Sequence, residues 1–520
     1  MQENLKKAFI NPLILTGLLL FCFSLAMNKQ ADYYYYLTAA QLIFVPSLLH
    51  MIVKLRPFEK VIIAVGMLAV TLISLDLPYL AAVICAAIYF LVTCWVAWKG
   101  FERFLNRGFT NLPEWLIDLG MIYLAIGGGW FLASVSGINT GFSEMLTWLT
   151  AIHFHYSAFM LSVSVGLVGR IQITKLYQIC ALVIATGPVT VAIGITFSRT
   201  VEIISVSLYV LAIYALTYYL FRLKFHGIQR IIVWIPFLTL CITILWSLAY
   251  AYGNLSGQVI VNIPDMLDVH GFLNCLLFGT LTVVGWALKV PESTQRPYNF
   301  PVSRIRGKLQ ETGAPHRGLV DQMNMYVNPE EVSAQVINFY EHTERFQLFA
   351  SVKWSGWFLP FAWVWQLISR SIGQLNLPYS SSKVEMTGEI LVVDEQLDGR
   401  AKPRVWKRMI GEGTVFTAIY SHHKSGQETF MNIALPLPFS SMHGILQLSA
   451  ENGRLSLTSD GHGDAGTYLA IGKYILKLPL HEYFVIEERN GELVATHDMN
   501  IFGLHFLHID YVIREFESYA

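Results

Sequence analysis

The chain has 520 residues, of which 54% are hydrophobic and 14% charged. An ordinary soluble domain carries about 25% charged residues, so a single water-soluble globule is excluded. The formal net charge is zero, and no part of the chain carries a concentrated basic stripe, which argues against a nucleic-acid partner.

The charge is unevenly divided. Residues 1–290 hold 16 Lys/Arg and 11 Asp/Glu, or +5, and the remainder hold 20 and 25, or −5. All six cysteines (Cys22, Cys85, Cys94, Cys180, Cys241 and Cys275) lie in the apolar part, with no CxxC pair. They read as small buried hydrophobes. The cysteine-free remainder fits a reducing compartment.

A helix needs about 20 apolar residues to cross a bilayer. Ten runs qualify: 9–27, 34–53, 59–75, 78–98, 115–135, 146–168, 176–198, 200–221, 230–252 and 264–289. The first is of spanning length and no small-residue cleavage site follows it, so it is not read as a cleavable signal. With the N-terminus inside, one side of the membrane receives Lys6 and Lys7; Lys54, Arg56 and Lys60; Lys99, Arg103 and Arg107; Arg170 and Lys175; and Arg222, Lys224 and Arg230. The opposite side receives Lys29 and Arg199. This asymmetry predicts an even number of spans and both termini in the cytoplasm.

Beyond Pro291 the composition changes. Residues 291–328, rich in Pro, Arg, Gly and Asn, read as a linker. Residues 329–377 read as a helix opening at Asn328-Pro329-Glu330-Glu331, followed by an aromatic amphipathic segment, Trp354 to Ile372, interrupted by Pro360. That segment suits an interfacial helix on the inner leaflet, with a core helix of the soluble domain or an extra span as the other readings. Residues 378–520 are β-patterned. Strands are predicted at 384–393, 413–420, 429–435, 444–448, 454–458, 467–476, 483–488, 492–499 and 506–513, with turns at Asn452-Gly453 and Asn490-Gly491. Eight or nine antiparallel strands suggest a closed or nearly closed barrel. Its interior either holds a small ligand such as a lipid or is filled by side chains. The predicted fold class is thus a membrane all-α bundle followed by a cytoplasmic α+β domain dominated by an antiparallel, barrel-like sheet.

Ionisable groups inside spans are the best functional pointers. His153 and His155 lie in the sixth span, Arg199 and Glu202 at the junction of the seventh and eighth, and Asp268, His270 and Asn274 in the tenth, near Asp265. The predicted orientation gathers them in the outer third of the bundle as a ligand or proton pathway. Residues two apart on a helix differ by about 200°, so His153 and His155 should face opposite ways. His153, His155 and His270 are the candidate ligands for haem or a transition metal; hydrogen bonding within the bundle is the plainer use. Thr186-Gly187-Pro188 predicts a kink in the seventh span, and Gly127-Gly128-Gly129 close packing in the fifth. In the β-rich part, His422-His423 read as a hairpin turn. His505 and His508, three apart in a strand, are expected on opposite faces. Ser440 and Ser441 lack a nucleophile-elbow context, and no Walker, dinucleotide or kinase signature is found. An enzymatic role has no sequence support.

Three stretches, His153-Phe154-His155-Tyr156, His270-Gly271 with Asn274, and Phe502-Gly503-Leu504-His505-Phe506-Leu507, resemble the YndJ-like family of bacterial membrane proteins, as does the order of bundle and β tail. The resemblance implies a multi-pass protein of the bacterial plasma membrane, sometimes described as transporter-like, and supplies no catalytic residues. Three readings stay open: a transporter-like protein or sensor of an unidentified small ligand; a haem- or metal-binding redox protein; and a non-catalytic scaffold whose barrel binds lipid or a partner.

Overall fold

The computed structural model describes residues 11–27, 33–225, 227–295, 297–309 and 313–516. Lys6, Lys7 and Lys29, used above for orientation, lie outside them, as does the start of the first span. Two compact units emerge: residues 1–104 with 111–295, and residues 105–110 with 296–520.

The first unit is helical. Helices stand at each of the ten expected places: α1 Pro12–Met27, α2 Tyr34–Ile52, α3 Pro57–Ile73, α4 Tyr79–Leu105, α5 Leu112–Ser136, α6 Glu144–Ile171, α7 Lys175–Phe197, α8 Arg199–Arg222, α9 Gln229–Ser256 and α10 Ile263–Leu288. Among the described residues eight are long and apolar enough to cross a membrane, fewer than the ten expected. The exceptions are α1, of which 16 residues are described, and α3, 17 residues with Glu59 and Lys60 in its first turn. At 1.5 Å per residue these stretches span about 24–26 Å, short of the roughly 30 Å hydrocarbon layer.

The helix ends follow local chemistry. Asn111 caps α5 by accepting from Glu114 N, and Gly137, in the left-handed region, closes it. Ser143 and Ser198 cap α6 and α8 in the same way. α6 is the most buried of the eight spanning helices, so it has protein on both sides. The Gly127-Gly128-Gly129 run does serve close packing: a Cβ on Gly127 would lie 2.9 Å from His155 Nδ1, and one on Gly128 2.1 Å from Thr93 Oγ1.

The second unit is a closed barrel. Its strands are β1 Phe346–Trp354, β2 Val384–Val392, β3 Ala401–Ile410, β4 Gly413–Ser425, β5 Glu428–Leu437, β6 Ser440–Glu451, β7 Arg454–Thr458, β8 Gly466–Ile471, β9 Tyr474–Lys477, β10 Leu480–Arg489, β11 Glu492–Ile501 and β12 Leu504–Glu515. The order β5-β4-β3-β2-β1-β12-β11-β10-β7-β6 closes through β5–β6, making a ring of ten antiparallel strands. β8 and β9 form a side hairpin on the first half of β6, whose second half pairs with β7. Closure leaves no free edge in the ring. Asn452-Gly453, Asn490-Gly491 and Phe502-Gly503 all have positive φ at both positions, the two-residue turn that matches strand twist.

The barrel interior is a packed core including Met386, Trp406, Phe416, Met431, Ile509 and Tyr511. Three differences separate the nine expected strands from the twelve present among the described residues. The stretch 467–476 is not one strand but the hairpin of β8 and β9. β1 falls in the segment 329–377, where no strand is expected. β3 is not expected either; its Arg404 and Arg408 are buried, Arg404 on Asp321 and Arg408 over the Trp406 and Phe416 rings.

Four further expectations change. Residues 297–309 and 313–328 are not a free linker, since Phe300, Ile305, Leu319 and Met323 are buried in cores of this unit. The helix expected from Pro329 is a single tight turn, Pro329–Glu331, and the helix proper is α11, Ala334–Glu341, capped by Ser333. Pro360 does not interrupt the aromatic segment but sits in the first turn of α12, Leu359–Ile372. That helix exposes Phe361, Trp363 and Leu367. His422 and His423 lie within β4, before the turn.

Candidate functional site

Three helices of the bundle carry wide, π-type turns: Ala40–Phe44 in α2, Phe154–Met160 in α6, and Met266–Gly271 with Asn274–Gly279 in α10. Such turns are rare, weaken the local hydrogen-bond ladder and recur at functional sites. Those of α6 and α10 adjoin or contain the histidines singled out in the sequence. Between these helices and α5, α7, α8 and α9 lies a cavity of about 300 Å³.

The cavity wall is mainly apolar, and its polar groups include His153, Glu202, Tyr209, Thr243, His270 and Asn274. His153 Nδ1 lies 2.7 Å from the Leu149 carbonyl and His270 Nδ1 2.8 Å from the Thr243 carbonyl. A carbonyl only accepts, so Nδ1 carries the hydrogen in both rings. In the neutral ring, Nε2 is then the acceptor. Neither His153 Nε2 nor His270 Nε2 has a hydrogen-bonding partner among the described residues. Asn274 Oδ1 accepts from Thr243 Oγ1 at 2.9 Å, tying α10 to α9.

His155 is placed differently. Its Nδ1 donates to the Ala151 carbonyl at 2.8 Å, so its Nε2 accepts from Tyr89 Oη, also at 2.8 Å. Both nitrogens are engaged, the ring is fully buried against Tyr89, and it does not line the cavity. The two histidines of α6 thus do face opposite ways. His155 has no lone pair left for a metal, and His153, His155 and His270 do not form a three-ligand cluster among the described residues.

Glu202 is buried at the cavity wall, held by Arg199 Nη1 at 3.0 Å and Asn254 Nδ2 at 2.9 Å. Arg199 is half-exposed and acts through Glu202 rather than lining the cavity. Asp268 and Asp265 are exposed and do not line it. The glycines of α7 permit the close approach of α8 beside this wall. A Cβ on Gly187 would lie 2.1 Å from the Tyr209 ring, and one on Gly194 2.5 Å from the Glu202 backbone.

Sequence reasoning missed Tyr209, Thr243 and Asn254. The polar stripe Thr239, Thr243, Ser247 at four-residue spacing in α9 was the available signal for Thr243. It also missed an ionic cluster in the helical unit. Glu114 receives Arg103 at 2.7 Å and Arg170 at 2.6 Å, Asp118 receives Arg103 at 2.7 Å, and Glu59 receives Lys99 at 2.8 Å. Cations counted only as loop charges are therefore partners of buried carboxylates.

The barrel holds an arrangement that superficially resembles a nucleophile set. Ser441 Oγ is 2.8 Å from His443 Nε2, and His443 Nδ1 is 3.2 Å from Asn432 Oδ1. That order matches nucleophile, base and orienting group. All three residues are sealed from solvent. Arg400 continues the chain, donating to Asn432 Oδ1 at 2.9 Å and pairing with the equally buried Asp398 at 2.6 Å. No substrate reaches these atoms as they stand, and the set works as a structural tie.

Comparison with known proteins supplies the family. A model of the YndJ-like protein family matches residues 36–278. A relative from Bacillus subtilis (strain 168), named as an uncharacterized membrane protein YndJ, is 35% identical over 456 residues, covering 82% of this chain and 83% of its own. The chain belongs to the YndJ-like family. It is a membrane protein with a helical bundle followed by an antiparallel barrel. The residues lining the cavity, from Tyr36 to Phe278, all fall in the segment matched by the family model. The alignment with the Bacillus relative is longer than the bundle, so it extends into the barrel. No solved structure matches the chain.

Proposed function

We propose that this YndJ-like protein binds a small, mainly apolar molecule bearing a hydrogen-bond donor in the bundle cavity, and carries or senses it at the bacterial plasma membrane. The observation that carries this reading is the pair of acceptors, His153 Nε2 and His270 Nε2, in one apolar cavity of about 300 Å³. Ligand sites combine apolar walls with a few directed polar groups in this way. The wide turns of α6 and α10 and Pro188 within α7 add helix irregularity of the kind found where membrane helices line a site. The termini are taken to be cytoplasmic, which puts the cavity in the outer third of the membrane.

Binding of 1-naphthylamine to the purified protein in detergent, with naphthalene as the analogue lacking a donor, tests this reading. A hydrogen bond is worth about 0.5–1.5 kcal/mol net. His153→Ala with His270→Ala should therefore weaken naphthylamine binding about 5- to 100-fold and leave naphthalene binding little changed. Ala192→Trp, which fills the cavity, should abolish both. Naphthylamine binding that survives all three substitutions would place the ligand elsewhere. Absence of naphthylamine binding to the wild type would sink the reading for this ligand class.

A second reading is favoured by one observation: His153 and His270 line the same cavity, each with an Nε2 that has no hydrogen-bonding partner among the described residues. Two imidazoles with free Nε2 atoms could share a transition metal, or haem, in the cavity. Metal in the purified protein that is lost in the His270→Ala variant would support it.

A further inference from the structure

The segment Phe502 to Leu507 belongs to the β11–β12 hairpin. Pairing there runs Asp498 with His508 and Met499 with Leu507, then jumps to Asn500 with His505. Phe506 is left without an opposite number. This is a β-bulge, one extra residue in one strand. It resets the alternation of side chains, so His505 and His508, three apart, come to the same face as Asp498. Regular strand geometry would have separated them. The neighbouring Leu507 and Ile509 are buried in the barrel core, so this face is the outer wall.

Asp498 Oδ1 is 3.1 Å from His505 Nε2 and 2.7 Å from His508 Nδ1, and the donor atoms of the three residues all lie within 4.8 Å of one another. A tetrahedral ion with bonds of about 2.0–2.1 Å separates its ligands by about 3.3 Å, so small shifts suffice to admit one. The remaining ring nitrogens are also held. His505 Nδ1 lies 3.2 Å from Ser355 Oγ. His508 Nε2 lies 3.0 Å from Asp510 Oδ1, whose other oxygen takes Lys353 at 2.8 Å. Metal-ligating histidines characteristically have their second nitrogen fixed in this way, which sets ring orientation. A simple surface ion pair needs no such support.

We propose that Asp498, His505 and His508 bind a divalent transition-metal ion of the zinc class on the outer wall of the barrel, with Ser355 and Asp510 positioning the two imidazoles. Three protein ligands leave a fourth position for water. On binding, His505 Nε2 and His508 Nδ1 present their lone pairs to the metal, and each ring keeps its one hydrogen on the other nitrogen, facing Ser355 Oγ and Asp510 Oδ1 respectively. Any second proton on a ring passes to solvent.

Zn(II) titration of full-length, chelator-treated protein in detergent, followed by calorimetry, tests this. One Zn(II) per chain should bind, and Co(II) in its place should give the visible absorption of a low-symmetry, four-coordinate site. His505→Ala and His508→Ala should each weaken Zn(II) binding at least tenfold, and Asp510→Asn about 10- to 100-fold. The His153→Ala, His270→Ala double variant should bind Zn(II) at this site as the wild type does. Should an alanine variant lose its thermal midpoint, Asp498→Asn replaces it, keeping shape and removing the charge. Absence of Zn(II) binding, or binding that the hairpin variants leave unchanged, would overturn the proposal.

Discussion

The bundle cavity and the outer wall of the barrel, beneath Phe300 to Ile305, both place polar side chains among apolar ones, but they treat them in opposite ways. In the barrel, Asp398, Arg400, Asn432, His443 and Ser441 hand hydrogen bonds from one to the next. In the bundle, His153 and His270 each use one nitrogen and leave the other facing a void. A satisfied buried network rigidifies a fold. An acceptor left open to an apolar cavity gains when a donor-bearing molecule fills the site. The difference separates a structural device from a candidate binding site without reference to residue type, since histidine occurs in both.

The strongest way to break the comparison is to open the barrel network. Arg400→Met leaves Asp398 charged and buried, and breaking such a pair costs about 3–5 kcal/mol. Hydrogen–deuterium exchange of β4 and β5 in the full-length protein should show a loss of that order; a loss below about 1 kcal/mol would mean the network is not a tie. Within α6 the contrast sharpens to two residues. His155→Leu strands the Tyr89 hydroxyl and should lower stability by about 1–3 kcal/mol, whereas His153→Leu should stay within about 0.5 kcal/mol. Thermal unfolding of the two variants side by side decides it, and equal effects would erase the distinction between them.

A smaller effect depends on pH. Burial, with the charges of Arg400 and Arg306, holds His443 well below the ordinary histidine range. The folded barrel therefore keeps His443 neutral where the unfolded chain, with a histidine pKa of about 6.5, becomes protonated. Stability is full above that pH and falls as the pH drops below it, by up to about 1.4 kcal/mol per unit. Exchange protection of β6 measured between pH 7.5 and 5.5 should fall in the wild type and fall less in His443→Gln. Parallel profiles would show that another group titrates.

Much of the architecture was legible because it is written in local periods. Apolar runs placed helices at ten positions, and Asn-Gly pairs placed two of the hairpin turns. Charge at inward positions has no such local period. β3 carries Arg404 and Arg408 toward the core, where Asp321 and two aromatic rings receive them, and no local pattern announces those partners. Among the described residues the expected ten spans became eight because the described stretches of α1 and α3 fall a few residues short.

The candidate sites divide along the same line. Residue spacing alone determined that His153 and His155 face opposite ways, because a helix turns by a fixed angle per residue. Which of them keeps a free nitrogen was decided by Tyr89, 66 positions away from His155, and by the cavity that α7 to α10 close around His153. The meeting of His505 and His508 depended on a register jump between β11 and β12. Local geometry is carried by each residue's own backbone preferences. Partnership of a lone pair depends on neighbours brought from distant sequence, and only the folded chain supplies them.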